Sequence, residues 1–89
     1  SAAVAAAGGL EAVLRAMGAH VGAAGVQQDG CGALWNLAAN SPANALAIEH
    51  AGGLTAIASA RRAFPSDAGV TQMADGATEA IEASKRRRW

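Results

Sequence analysis

The sequence predicts an all-α fold, a helical solenoid of about two three-helix repeats. Three observations predict it. Alanine, a strong helix former, supplies 26 of the 89 residues; no segment has the alternating apolar pattern of a strand; and the chain repeats itself at an offset of 44 residues. A repeat period in the forties without strand signals is typical of stacked helical units.

The internal repeat aligns residues 7–39 with residues 51–83 without a gap. The identical pairs include Gly8 with Gly52, Gly9 with Gly53, Leu10 with Leu54, Ala12 with Ala56, Ala16 with Ala60, Ala24 with Ala68, Gly25 with Gly69, Val26 with Val70, Gln28 with Gln72, Gly32 with Gly76 and Ala33 with Ala77. The conservative pairs are Val4 with Ile48, Val13 with Ile57 and Leu37 with Ile81. An offset sustained over this distance indicates two copies of one supersecondary unit.

The second copy is predicted to begin with a short helix. Ser41 is suited to be its N-cap and Pro42 its first residue, and the helix is expected to end near His50. Gly52-Gly53 then permits a sharp change of backbone direction into the second helix. Gly8-Gly9 occupies the same position in the first copy. A corner is therefore predicted there too, after the end of a helix that starts further upstream.

The second and third helices carry apolar residues at helical spacing. In the first copy the stripe of the second helix is Leu10, Val13, Leu14 and Met17. The third helices follow loops at residues 20–24 and 64–67, and Pro65 prevents continuation of the helix before it. Residues that share a face of the third helix are Val26, Ala33 and Leu37 in the first copy and Val70, Ala77 and Ile81 in the second.

Glycines inside the third helix indicate close helix packing. Gly30 and Gly32 each disfavour the helix by ~1 kcal/mol relative to alanine. The second copy has Ala74 and Gly76 at these positions, so small residues recur. We therefore expect a neighbouring helix to approach there.

Bulky apolar residues are scarce, since Val, Ile, Leu and Phe together number 15. Burial contributes ~25 cal/mol per Å2, so an alanine methyl adds little, whereas each ordered residue costs ~1.5 kcal/mol of conformational entropy. We expect a thin core that needs neighbours. The predicted units are a first repeat at residues 1–39, a second repeat at residues 40–84 that acts as a C-terminal cap, and a basic tail at residues 85–89.

Two segments resemble the armadillo repeat family. Residues 48–54, I-E-H-A-G-G-L, are similar to the armadillo Ala-Gly-Gly-Ile turn, and residues 31–38, C-G-A-L-W-N-L-A, are similar to its Ala-Leu-x-Asn-Leu-Ala third helix. The order and spacing of these segments agree with the family over nearly the whole chain. The resemblance implies a right-handed solenoid whose third helices line a concave surface that binds extended peptides or protein segments.

The family's peptide-gripping residues are carried over only in part. In grooves of the importin-alpha type, a tryptophan and an asparagine one turn later hold a basic peptide. Asn36 stands at the asparagine position, but Gly32 stands at the tryptophan position, and in the next copy the pair becomes Gly76 and Ala80. We therefore do not expect nuclear-import-receptor activity. Trp35 is predicted to lie either at the groove edge or against the adjacent repeat.

The candidate catalytic groups lack the partners that catalysis needs. Cys31 could be a nucleophile with His20 or His50 as its base, but the histidines fall on different predicted segments and no orienting group is evident. The carboxylates along one face of the last helix are expected to face water; they are Asp75, Glu79 and Glu82. The Gly-Gly pairs fit no nucleotide fingerprint, and no Cys/His spacing fits zinc. We predict no enzyme activity, cofactor or metal site.

The basic tail, K-R-R-R-W, has three alternative interpretations. Its cations interact favourably with the dipole at a helix C-terminus, and Glu82 can pair with Lys85 or Arg86. The tail could instead insert into a partner protein, because Trp and Arg are frequent energetic anchors of interfaces. These candidate anchors are Arg86, Arg87, Arg88 and Trp89. The third alternative, contact with nucleic acid or an anionic membrane surface, is disfavoured by the zero net charge of the chain.

The single cysteine cannot form an internal disulfide, which is compatible with a reducing compartment. The longest uncharged run, residues 30–48, contains asparagines and a proline and is too polar to span a membrane. We expect an intracellular protein, soluble or peripheral, in the cytoplasm or an organelle.

Two hypotheses of function follow. The first is a non-catalytic interaction or assembly subunit, docked as a peripheral component of a larger complex through its exposed repeat edge near residues 1–17 and its tail. The second is a reversible peptide-binding adaptor that uses the third-helix surface. The candidate residues of that surface are Gln28, Trp35, Asn36 and Gln72. In both hypotheses the partners are other proteins or further repeats of the same chain.

Overall fold

The computed structural model describes residues 2–87, with side chains from residue 8 onward. This part of the chain forms five α-helices and no strand: α1 Ala2–Ala19, α2 Ala24–Asn40, α3 Pro42–His50, α4 Gly53–Ala63 and α5 Ala68–Arg87. The all-α fold class is therefore confirmed. The helices enclose one core within overall dimensions of 34 × 25 × 16 Å.

Helix α3 begins as the sequence predicts. The Asn44 backbone N–H donates to Ser41 Oγ at 3.0 Å, and Pro42 is the first helical residue. Ser41 thereby satisfies one of the free N–H groups at the helix start, while Pro42 has no N–H to satisfy. The helix ends at His50, which confirms the predicted bounds.

The corner between α3 and α4 depends on Gly52-Gly53. Gly52 has φ +88°, a left-handed conformation that side chains disfavour. Gly53 opens α4, and a Cβ there would overlap the Ile48 side chain of α3. The two glycines therefore serve different needs, one conformational and one of close packing.

The predicted corner at Gly8-Gly9 is wrong. Both glycines lie inside α1, which continues without a break from Ala2 to Ala19. Residues 2–7 are alanine except for Val4, and alanine has the highest helix propensity, so the helix tolerates two glycines at ~1 kcal/mol each. No left-handed residue other than Gly52 occurs within the described residues. Identical dipeptides thus adopt different conformations in the two copies.

The loops before the third helices are where the sequence predicts them. Residues 20–23 join α1 to α2, and residues 64–67 join α4 to α5. Asp67 Oδ1 accepts from the Val70 N–H at 3.0 Å and caps α5. Ala23, its counterpart in the first copy, has no side chain that could do this. The two copies therefore stabilise equivalent helix starts by different means.

Helix α2 lies at the centre of the core and packs most extensively against α5. The core is built mainly of small and aliphatic side chains, as the composition predicts. Its buried hydrophobic residues are Leu10, Met17, Cys31, Leu34, Ala38, Ala45, Ile48, Ile57, Ala60, Val70, Ala74, Ala77 and Ile81. Six of these thirteen residues are Ala or Cys, and the other seven are Leu, Ile, Val or Met.

Candidate functional site

Glycines bring α2 and α5 into close contact. A Cβ on Gly69 would overlap the Gln28 amide, and a Cβ on Gly76 would overlap the Trp35 ring. Between these two contacts, a Cβ on Gly32 would lie 3.5 Å from Met73 Sδ. In each pair, the α5 residue number exceeds the α2 number by 41. This constant difference means that the two helices run parallel, side by side.

Trp35 lies against the adjacent copy, which is one of its two predicted positions. The ring covers Gly76, yet 37% of the residue stays exposed. Asn36 and Gln72 are exposed, whereas Gln28 is half-buried by its contact with Gly69. The four residues predicted to form a peptide-binding surface thus divide in two. Gln28 and Trp35 hold α2 and α5 together, and Asn36 and Gln72 remain accessible.

An apolar cleft lies open between α1 and α2 on the side facing away from α5. Its volume is about 320 Å3. The lining residues are Ala12, Val13, Ala16, Met17, Val26, Asp29 and Gly30. We call this surface the open edge. Val13 and Val26 are half-buried there, and Ala16 and Asp29 are exposed.

The same positions are covered in the second copy. Ile57, Ala60 and Val70 align with Val13, Ala16 and Val26, and their exposed fractions are 2%, 0% and 0%. In both copies the second helix packs against the third, α1 against α2 and α4 against α5. Packing within a copy therefore does not explain why the second copy is less exposed at these positions. The second copy has α2 and α3 against it, whereas no described element covers the first copy on that side. The open edge is therefore a mainly apolar surface that no described element covers.

A second edge of the fold, formed by α4 and α5, is charged. Arg61 Nη1 lies 2.6 Å from Asp75 Oδ1, and Arg86 Nη2 lies 2.7 Å from Glu79 Oε1. All four side chains are at least 38% exposed. The acidic face predicted on the last helix is therefore a solvated face that carries ion pairs.

The basic tail begins as part of α5, which continues to Arg87. Lys85 Nζ lies 3.1 Å from Glu49 Oε2 and 3.6 Å from Glu82 Oε1, so it links α5 to α3. The hydrogen bond to Glu49 is the main reason that the pKa of Lys85 is raised. Of the two predicted pairings of Glu82, the one with Lys85 is observed, because Arg86 pairs with Glu79. Arg87 is exposed, and Arg88 and Trp89 lie outside the described residues.

Gln27 is a buried polar residue that the sequence pattern did not reveal. Its Nε2 donates to the Met17 carbonyl at 3.0 Å and to the His20 carbonyl at 2.9 Å. Met17 lies in the last turn of α1, where carbonyls lack helical partners, and His20 directly follows the helix, where its carbonyl also accepts from the Ala23 N–H. Gln27 therefore fastens α2 to the end of α1. Its aligned residue is Thr71, so the repeat itself gave no signal for this role.

Cys31 is completely buried, and both His20 and His50 are exposed. Burial raises the pKa of the Cys31 thiol, and the Arg61 charge only partly opposes this. No hydrogen bond joins Cys31 to either histidine in the part of the chain that the structure describes. Within the same residues there is no cluster of three or more His, Cys, Asp or Glu side chains that could hold a metal ion.

None of the described helices is long and apolar enough to cross a membrane. No protein-family model, curated protein or solved structure matches this chain. The geometry of the two edges and of the α2/α5 surface is therefore the basis for a functional proposal.

Proposed function

We propose that this chain is an armadillo-like, right-handed solenoid of about two repeats that acts as a non-catalytic assembly subunit. It docks as a peripheral component of a larger protein complex through the open edge. One observation carries the proposal: positions that are 0–2% exposed in the second copy are accessible in the first.

The parallel arrangement of α2 and α5 supports the solenoid. Helices at the same position of successive repeats run parallel in a solenoid, because each repeat is related to the next by a small rotation and translation. The glycine contacts between α2 and α5 keep a constant offset of 41 residues, as expected for parallel helices. Helices α3, α4 and α5 also supply the three helices of one complete unit.

The chemistry of the open edge supports docking of a protein rather than a small molecule. Its side chains are mainly Ala and Val, with a single carboxylate, Asp29. Such a surface gains free energy by excluding water over a broad area and has few polar groups to orient a small ligand.

Site-specific photo-crosslinking in extract of the source cells tests the proposal. A photoreactive amino acid replaces Ala16 on the open edge in one variant, Asn36 in a second and Gln72 in a third. We expect a discrete adduct of one protein partner from position 16 alone. Val26→Glu should abolish this adduct, because it buries a charge in the interface. The matched control is Leu46→Glu, an exposed apolar residue of α3, which should leave the adduct unchanged.

A reversible peptide-binding adaptor is the second candidate function. The observation that favours it is the exposure of Asn36 and Gln72, whose amides can hydrogen-bond to an extended backbone. In that case adducts would form from positions 36 and 72 and not from 16. Substituting Asn36 and Gln72 should then abolish capture while the fold is retained. If partner binding is lost only when residues 86–89 are removed, docking is instead assigned to the tail.

A further inference from the structure

We infer that the partner on the open edge is the face of another α-helical repeat, whose contacting helix runs parallel to α2 and places a hydrogen-bond donor or cation opposite Asp29. This inference rests on the proposed docking function and specifies the partner's chemistry. It comes from the internal α2/α5 interface, which shows how one copy of this unit covers the next.

The internal interface supplies the register of the partner helix. Residues 28, 32 and 35 of the covering helix lie over residues 69, 73 and 76 of the covered helix. In the first copy, residues 25, 29 and 32 occupy the covered positions. Gly25 has no atom within 4 Å of where its Cβ would be, whereas the space at its counterpart Gly69 is filled by Gln28. The open edge thus has room for a long side chain at a position that is already filled in the second copy.

Asp29 sets the chemistry at the middle of the interface. Its counterpart Met73 places its thioether Sδ beside Gly32, 3.5 Å from where a Cβ would lie. A carboxylate in that place loses solvation when the edge is covered, and the loss is offset only by a hydrogen bond or an opposite charge. A suitable partner helix therefore carries Lys, Arg or a neutral donor where α2 has Gly32.

A second copy of the chain, stacked head to tail, does not meet these requirements. The covering positions of α5 are Gln72, Gly76 and Glu79. Gly76 would leave Asp29 without a donor, and Glu79 would bring a second carboxylate where α2 has Trp35. Glu79 is in addition engaged by Arg86. The partner is thus a different repeat unit.

A tandem fusion of the full chain places a helical repeat on the open edge in a known register, and a substitution can then add the donor. Residues 1–44 are duplicated in front of Ser1, which keeps the 44-residue period and places Ser41-Pro42 before the first helix. In the added copy, Gln28, Gly32 and Trp35 would lie over Gly25, Asp29 and Gly32 of the original. Gly32→Lys in the added copy then offers Asp29 a cation.

Thermal unfolding and thiol labelling are the measurements. We expect one cooperative transition, with a midpoint higher than that of the single chain by about 5 °C or more, and a further rise with Gly32→Lys in the added copy. Asp29→Met, which restores the residue type of the second copy, should remove the benefit of the lysine. A cysteine introduced by Ala16→Cys should label at least about tenfold more slowly in the fusion, because an opening step then precedes reaction.

Trp35→Glu in the added copy is the matched control. It mimics the charged edge of α5 and should abolish the rise in the midpoint. Two separate transitions, or a midpoint equal to that of the single chain, would overturn the helical-repeat partner. A lysine effect that persists in the Asp29→Met background would overturn the role of Asp29. Crosslinking from position 16 decides the docking function independently, so the two proposals can fail separately.

Discussion

The Trp35 ring lies over Gly76, so a residue of one copy packs directly on the backbone of the other. Gly76→Ala would place a Cβ within the ring and force it to move. We expect a net loss of about 1–3 kcal/mol in the free energy of unfolding, although alanine favours the helix. Urea unfolding followed by circular dichroism measures this change.

Gly32→Ala is the matched control for that substitution. Its Cβ would meet Met73 Sδ at 3.5 Å, an ordinary contact distance, so the higher helix propensity should dominate. We expect a gain of up to about 1 kcal/mol. Equal effects of the two substitutions would show that the Trp35 contact is not tight.

The two Gly-Gly pairs should respond in opposite ways to alanine. Gly52→Ala forces a side chain into a left-handed conformation and should destabilise the fold by about 1–2 kcal/mol. Gly8 lies within α1, and no atom is near the position of an added Cβ. Gly8→Ala should therefore stabilise the fold by up to about 1 kcal/mol. Thermal unfolding of both variants measures the difference. A loss of stability from Gly8→Ala would indicate a corner at Gly8-Gly9 after all.

Gln27 should be the most sensitive glutamine of the chain. Gln27→Leu keeps much of the volume but removes the donor shared by the Met17 and His20 carbonyls, and we expect a loss of about 1–3 kcal/mol. Gln72→Leu, at an exposed position, should change stability by less than about 0.5 kcal/mol. Similar losses in denaturant unfolding of the two variants would contradict the capping role.

Stability should fall on the alkaline side because of Cys31. Its folded pKa is raised above the ordinary value of 9.0, so the unfolded chain releases the thiol proton at a pH where the folded chain retains it. The unfolded state is thereby favoured as pH rises above that value. Lys85 contributes little in this range, because its pKa is raised from an already higher 10.5.

Unfolding free energies from about pH 8 to about pH 10 test this expectation. Cys31→Ala should flatten the decline relative to the unaltered chain. In addition, an alkylating reagent should label Cys31 rapidly in denaturant and slowly in the folded protein. Rapid labelling of the folded protein would show that the thiol is accessible and would reopen the question of a reactive cysteine.

Local signals in the sequence were sufficient to place most helix ends. Ser41-Pro42, Gly52-Gly53 and Pro65 each act on the backbone within a few residues, so neighbouring residues alone reveal their effect. Gly8-Gly9 shows the limit of such signals. Glycine permits a corner without requiring one, and the flanking alanines favour a continuous helix.

Contacts between distant segments were not predictable in the same way. The bond from Gln27 to the end of α1, the ion pair of Lys85 with Glu49 and the pairing of Arg86 with Glu79 depend on how helices are oriented in space. The repeat predicted that small residues mark helix packing. Gly30 confirms this, because a Cβ there would overlap the Met17 side chain of α1, and so does Gly76, which lies against the Trp35 ring of α2. The repeat could not indicate which side chain fills each gap.

The offset of 41 residues between touching positions differs by three from the 44-residue repeat. Three residues of helix correspond to about 4.5 Å along the axis. Each copy is therefore displaced lengthwise by nearly one helical turn relative to the copy before it. A longer array with this geometry would be a sheared stack, and surface residues at equivalent positions would trace an oblique line across it.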